Sequence, residues 1–255
     1  PFVWTGMYNE YFNILMDALV TAQLGKEGSE VFYTFNLGEK KVASQVVTGF
    51  NGDTPIIETQ TIGETTGDKL WQLAASYYAA DFAQSVIENG WHTDESVGIT
   101  YSHTDAQRDF INGARANKPV AMLIDGNYWE NEARNLGTIA ASENNYNYDY
   151  DTESDFAWMP LPGVATGTEG TTKMTLKDSM QSFAFINANI ANDENKVKLA
   201  KMFLQFCFTD SALVDFTLTT GMTRDYDYTL TAAQESTLGK YARSIWNYRK
   251  TSELV

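Results

Sequence analysis

The chain has 255 residues, 43% apolar and 20% charged, so it is long enough to bury a core as one large domain or two smaller ones. A formal net charge of -15, with no lysine- or arginine-rich stretch to offset it, makes phosphate backbones and anionic lipid surfaces poor partners. The single cysteine, Cys207, rules out an internal disulfide, and in Phe206-Cys207-Phe208 it reads as a small buried hydrophobe on a helix.

An aromatic-rich loop opens the chain. From Glu10 the apolar series Phe12, Leu15, Met16, Leu19 and Val20 follows helical spacing, with Gly25 and Gly28 predicted to end the helix. Residues 31–66 read as short β or loop segments broken by Gly38, Gly49, Gly52, Pro55 and Gly63. Thr65 or Thr66 then caps a long helix, about 67–89, whose face includes Leu70, Trp71, Tyr77, Tyr78, Phe82 and Val86. Thr104 or Asp105 opens a helix over about 105–116, with Ala106, Phe110 and Ile111 inward, and Val120–Ile124 is a short buried strand. A further helix starts near Trp129. Residues 143–155 are polar, with too little aliphatic content to pack, and read as a surface loop.

Phe156–Met159 is predicted as a strand, Pro160-Leu161-Pro162-Gly163 as a boundary, and 164–177 as a Gly/Thr-rich connection. Met180–Asn187 reads as a strand. Asn192 or Asp193 caps a helix over about 193–207 with Val197, Ala200, Phe203, Leu204 and Cys207 on one face. Ser211 opens a shorter helix ending near Gly221, and a last helix covers about 231–249. Helices alternating with short strands predict the α/β class.

The stretch 105–134 carries the chemistry. A helix runs into an apolar strand that ends at Gly126, in a turn bearing Tyr128, Trp129, Glu130 and Asn131. Aromatic rings beside an amide and a carboxylate suit a polar, ring-shaped ligand. Glu130 and Asn131 can hydrogen-bond hydroxyls, although acidity at a helix start is also what the macrodipole favours. No nucleophile or general base is assembled there. Asp149, Asp151, Glu153 and Asp155 alternate in the manner of calcium ligands, but the loop glycine and terminal Glu of an EF-hand are missing, so they read as a solvated acidic loop. His92 and His103 have no zinc-motif spacing. No metal and no cofactor is expected.

The helix AQRDFINGARAN, the strand VAMLIDG, the turn GNYWENEA, the segment FAWMPLPG, the strand SMQSFAFINAN and the helix NDENKVKLAKMFLQFCFTDSAL follow one another over residues 105–213. In order and spacing this series resembles the extracellular solute-binding proteins of bacterial ABC importers, in particular the carbohydrate-binding group that includes maltose-binding protein. The resemblance implies a periplasmic-binding-protein-like α/β fold of two lobes joined by hinge crossings. Residues 1–159 would be mostly the second lobe, 160–218 a return segment of the first, and 219–255 a crossing back. Family members run longer, so the chain reads as a fragment with an incomplete first lobe, and its Pro1-Phe2 start without Met agrees with a processed or truncated product.

The family presents an aromatic ring to the ligand after the glycine of that turn and one intervening residue, which matches Tyr128 in register, with Trp129 one place later. It places another aromatic contact in the opening loop, here Trp4 or Tyr8, near Tyr11. By the same carry-over Asp178, Ser179 and Gln181 face the ligand from the first lobe, and Arg224 follows the final crossing. The function implied is capture of a mono- or oligosaccharide by a monomer outside the cytoplasm and its delivery to a membrane permease, without catalysis. The protein would be a cell-surface lipoprotein or periplasmic, its signal segment absent from this chain. Two alternatives stand beside it. One is a glycoside hydrolase using Asp125 and Glu130, which requires a defined carboxylate separation. The other is an adhesion or scaffold protein on the same fold.

Overall fold

The structure is a computed structural model, and it describes residues 1–35, 42–161, 174–177 and 184–255. Helices and strands are mixed, as the alternating periods predict, but the strands pair two by two rather than in one broad sheet.

The first strand, β1 (Phe2–Val3), pairs in parallel with β4 (Met122–Leu123). Between them comes α1 (Glu10–Thr34), which continues past its predicted end. Gly25 takes φ 66°, a left-handed conformation open to glycine, and redirects the helix without stopping it. The second half is then held by Val31, buried with Val46 and Ile62.

Those two residues belong to a hairpin, β2 (Val42–Asn51) and β3 (Thr54–Ile62), where the glycines and Pro55 predicted interruptions. A register shift between Val47 and Gly49 absorbs one glycine, Gly52 (φ 62°) makes the two-residue turn, and Pro55 sits beside that turn where a missing N–H costs least.

The predicted helix at 67–89 is two elements. A 3₁₀ stretch over Glu64–Gln72 precedes α2 (Ala74–Glu88), and Leu73 between them leaves the helical path to bridge Val46 and bury its side chain. Trp71, assigned to the inner face, is 77% exposed.

Beyond α3 (His103–Asn112), α4 (Trp129–Asn135), α5 (Thr138–Tyr146) and α6 (Tyr150–Glu153) surround one core with Ile111, Trp129, Ile139 and Tyr150. Residues 143–155 are therefore largely helical. Tyr150 supplies the buried anchor that aliphatic content did not advertise, and Asp149 caps α6 by accepting from the Asp151 and Thr152 N–H groups. Asp151 pairs with Arg134, Asp155 lies 3.4 Å from Lys240, and Glu153 accepts from the Asp149 N–H. The four alternating acids thus serve as a cap and as ion or hydrogen-bond partners.

Residues 156–159 form no strand, and Trp158 N–H donates instead to Ser244 Oγ at 2.7 Å. A short strand β5 (Thr175–Leu176) pairs with β6 (Glu253–Leu254) at the end of the chain. The strand expected at 180–187 lies mostly outside the described residues, and 184–187 carry none.

Next come α7 (Glu194–Cys207) and α8 (Asp210–Thr220), capped by Asp193 and Thr209 and close to their expected bounds. No residue of the expected face of α7 is fully buried: Phe203 is 63% exposed, and Val197, Ala200, Leu204 and Cys207 are half-buried. The last predicted helix is split at Leu238-Gly239 into α9 (Ala232–Thr237) and α10 (Lys240–Thr251), because Leu238 turns extended to enter a core with Tyr228 and Trp246.

Candidate functional site

Three separate segments converge where the opening loop meets the 125–128 turn. Residues 1–7 thread between 91–101 and 121–124, tied by Phe2 N–H to Trp91 O (2.7 Å), Ile124 N–H to Val3 O (2.9 Å), Thr5 Oγ1 to Tyr101 O (2.8 Å) and Met7 N–H to Tyr101 O (3.1 Å). Gly6 permits the crossing, since a Cβ there would lie 2.7 Å from Ser96 O and 2.8 Å from Gly98 N. This thread places Tyr8 and Tyr11 beside the first turn of α3 and the turn after β4.

In α3 the cap is Ser102, earlier than expected. Its hydroxyl accepts from the Asp105 N–H at 3.2 Å, while Asp105 accepts from the Ser102 N–H at 3.1 Å. The box fixes the helix phase, so that His103 and Gln107, four residues apart, share the inward face.

Gln107 is fully buried, and its Nε2 donates to both Asp125 Oδ2 (3.0 Å) and Glu132 Oε2 (2.8 Å). His103 Nε2 is 3.4 Å from Glu132 Oε1, and its ring stacks on Tyr11 at 6.1 Å and 20°. Tyr11 Oη and Tyr128 Oη are hydrogen-bonded at 2.9 Å, and Tyr8, 42% exposed, forms the rim 6.3 Å from Tyr11.

Burial pushes the Asp125 carboxyl up to about 6, against hydrogen bonds from Gln107 and the Gly126 N–H that favour the anion. Burial likewise raises Tyr11 and Tyr128, so both phenols stay neutral donors and acceptors. Two buried polar atoms have no hydrogen-bond partner among the described residues: the acceptor Gln107 Oε1 and the ring nitrogen His103 Nδ1. Among those residues no group of three or more His, Cys, Asp or Glu is placed to hold a metal ion. The cluster thus sets aromatic rings at the rim and carboxylate and amide acceptors behind them.

Gly126 shapes the platform. A Cβ there would lie 2.7 Å from Tyr128 Cδ1 and 2.6 Å from Cζ, so only glycine lets the ring fold back to reach Tyr11. Gly126→Ala is expected to swing the Tyr128 ring outward and break the tyrosine pair. The stability cost should be only about 1 kcal/mol, the size of one hydrogen bond. Ligand affinity should fall at least about tenfold. Unchanged affinity in a titration of this variant would remove Tyr128 from the site.

The predicted site residues divide. Tyr128 and Tyr8 join the cluster. Trp129 is buried between Phe110 and Tyr241, and Trp4 is buried against Phe12 and His92; both serve packing rather than an open platform. Glu130 and Asn131 line a separate cavity of about 340 Å³ with Arg134, Tyr150 and the ends of α8 and α10. There Glu130 accepts from Tyr150 Oη at 3.0 Å, and burial raises its carboxyl. Glu130 is two residues from Tyr128 and from Glu132, about half a turn around the helix. Arg224 is exposed, its guanidinium 4.3 Å over the Phe216 ring. Asp178, Ser179 and Gln181 lie outside the described residues.

Sequence reasoning missed His103, Gln107 and Glu132. The available signal was a polar pair four apart beside the inward residues Ala106, Phe110 and Ile111, where an apolar side chain is the ordinary choice. Comparison with protein-family models, with curated proteins and with solved structures finds no match to this chain.

Proposed function

We propose that this chain binds a small carbohydrate without transforming it, as the solute-binding subunit of an ABC importer outside the cytoplasm, and passes it to a membrane permease. One observation carries the reading: Tyr128, on the turn after β4, is paired to Tyr11 beside a rim tyrosine and directly adjoins the Asp125–Gln107–Glu132 acceptors. Aromatic faces with neighbouring carboxylate and amide groups hold a sugar ring by its apolar face and its hydroxyls together. The two-lobed fold, with residues 1–159 mostly in one lobe, belongs to this proposal.

Binding suits the geometry better than hydrolysis. Asp125 and Glu132 accept from a single Gln107 nitrogen, so an amide occupies the space a glycosidase keeps for the scissile bond. The originally paired Asp125 and Glu130 share no hydrogen-bond partner.

A thermal-shift screen of the 255-residue chain against mono- and oligosaccharides tests the proposal. At a hundredfold excess over Kd, a bound sugar is expected to raise Tm by about 5–10 °C. Tyr128→Ala should abolish the rise. No shift with any sugar would overturn the carbohydrate reading, and turnover of an oligosaccharide that Glu130→Gln abolishes would replace it with hydrolysis.

A further inference from the structure

The acidic pair in the tyrosine cluster is under-compensated. Among the described residues neither Asp125 nor Glu132 forms an ion pair with a lysine or arginine, and the His103 ring faces Glu132, Nε2 to Oε1 at 3.4 Å. The nearby arginines are engaged elsewhere: Arg108 with Asp105 and Asp109, Arg134 with Glu130 and Asp151. Asp125 is the carboxylate withdrawn from water, and a buried carboxylate is ordinarily paired, while Glu132 remains partly exposed.

Hydrogen bonding tells the same story independently. Gln107 is 0% exposed and spends its Nε2 on the two acids, while its Oε1, on the same amide, has no donor. The acids are met by neutral donors, Gln107 Nε2 and the Gly126 N–H, which satisfy hydrogen bonds without neutralising charge.

The hydroxyls of a neutral sugar supply donors but no charge. A primary ammonium supplies both, with three N–H donors and one positive charge on one nitrogen. The rim fits as well, because the faces of Tyr8 and Tyr11 attract a cation while still packing on a sugar ring.

We propose that the ligand is an amino sugar with a free, positively charged amine, its ring on the tyrosines and its ammonium on the partly exposed side of Glu132, beside the carboxylate pair that Gln107 bridges and not between its members. This rests on the carbohydrate reading above and narrows it. Acetylation removes the charge and a donor, so N-acetylated sugars are excluded from the class.

Isothermal titration of the 255-residue chain at pH 7.0 separates the possibilities, using glucosamine and galactosamine, their N-acetyl forms, glucose and galactose, and 1,4-diaminobutane. One hexosamine is expected to bind about 10–100-fold more tightly than its neutral counterpart, the worth of one hydrogen bond to a charged group. Glu132→Gln, at a partly exposed side chain, should erase most of that preference while Tm holds, and Asp125→Asn should erase it while Tm rises. Equal affinity for hexosamine and neutral sugar would overturn the ammonium assignment and leave the sugar reading intact. Binding of the diamine but of no sugar would overturn the sugar reading and support the acidic pair as an ammonium site. Silence from every compound would overturn both.

Discussion

Replacing Trp129 with alanine is expected to destabilise the chain by about 3–5 kcal/mol, the cost of emptying a large aromatic site in a packed core. Trp129 is 4% exposed and meets Phe110, Phe156 and Tyr241 edge to face, with ring centroids 5.5, 5.7 and 5.2 Å away. Each such pair adds about 0.5–1.5 kcal/mol beyond the area it buries. The cavity left behind would have α3, α5 and α10 as walls, so it cannot close by moving one element. For a chain of this size the loss corresponds to a fall in Tm of about 6–20 °C. Trp129→Phe keeps part of the ring packing and should fall in between. The opposite pattern, a lost sugar response with Tm unchanged, would return Trp129 to the ligand site and displace it from the core. Scanning calorimetry of Trp129→Ala beside Tyr128→Ala therefore separates packing from binding on adjacent residues.

The second large effect is a gain. Asp125→Asn is expected to stabilise the folded chain by about 2–3 kcal/mol at pH 7.5 and by about 1 kcal/mol at pH 5. Burial raises this carboxyl from 3.8 to about 6. An acid that holds its proton more tightly when folded contributes stability fully present below the unfolded pKa and lost as pH rises through the folded one. Stability at this site therefore declines between about pH 4 and pH 6 and stays low above it. Asparagine has the same shape and no proton to lose, so the variant escapes the decline, and the gain is net of about 0.5–1 kcal/mol for one of the two hydrogen bonds, from Gln107 or Gly126, that its Nδ2 cannot accept. Urea melts of both proteins at the two pH values give the slope directly, and an equal difference at pH 5 and pH 7.5 would show that Asp125 does not titrate in this window. A variant that gains stability while losing affinity for an amino sugar would identify Asp125 as a residue kept ionised for binding at the expense of the fold.

Local signals carried far into the structure. The spacing of Phe12, Leu15 and Leu19 marked the first half of α1, Asp193 marked the start of α7, and α8 begins at Asp210 behind its cap Thr209, one residue before the expected Ser211. Alternating Val, Thr and Ile would have supported one long hairpin at 42–62, but the glycines were weighed as breaks, and a bulge and a turn accommodate them instead. Helix 67–89 failed for a different reason. Leu73 leaves the helix for a bridge to Val46, a partner 27 residues away that no periodicity reports.

The candidate site divides along the same line. Composition and charge set an expectation against nucleic acid, helical periods and caps located most of α1, α3, α7 and α8, and the order Gly126, Asn127, Tyr128 marked a turn bearing an aromatic ring. These properties are local, set by side-chain period, backbone freedom and net charge. The tertiary structure alone decided that Tyr128 opens to the cluster while Trp129 points into the core, because 100° of helix rotation separates neighbours and only packing chooses which one is buried. It alone joined Tyr11, His103, Gln107, Asp125 and Glu132, residues spread over three segments. Their meeting depends on the two-residue pairing of β1 with β4 and the close passage at Gly6, long-range contacts whose free energy no local window of the chain contains.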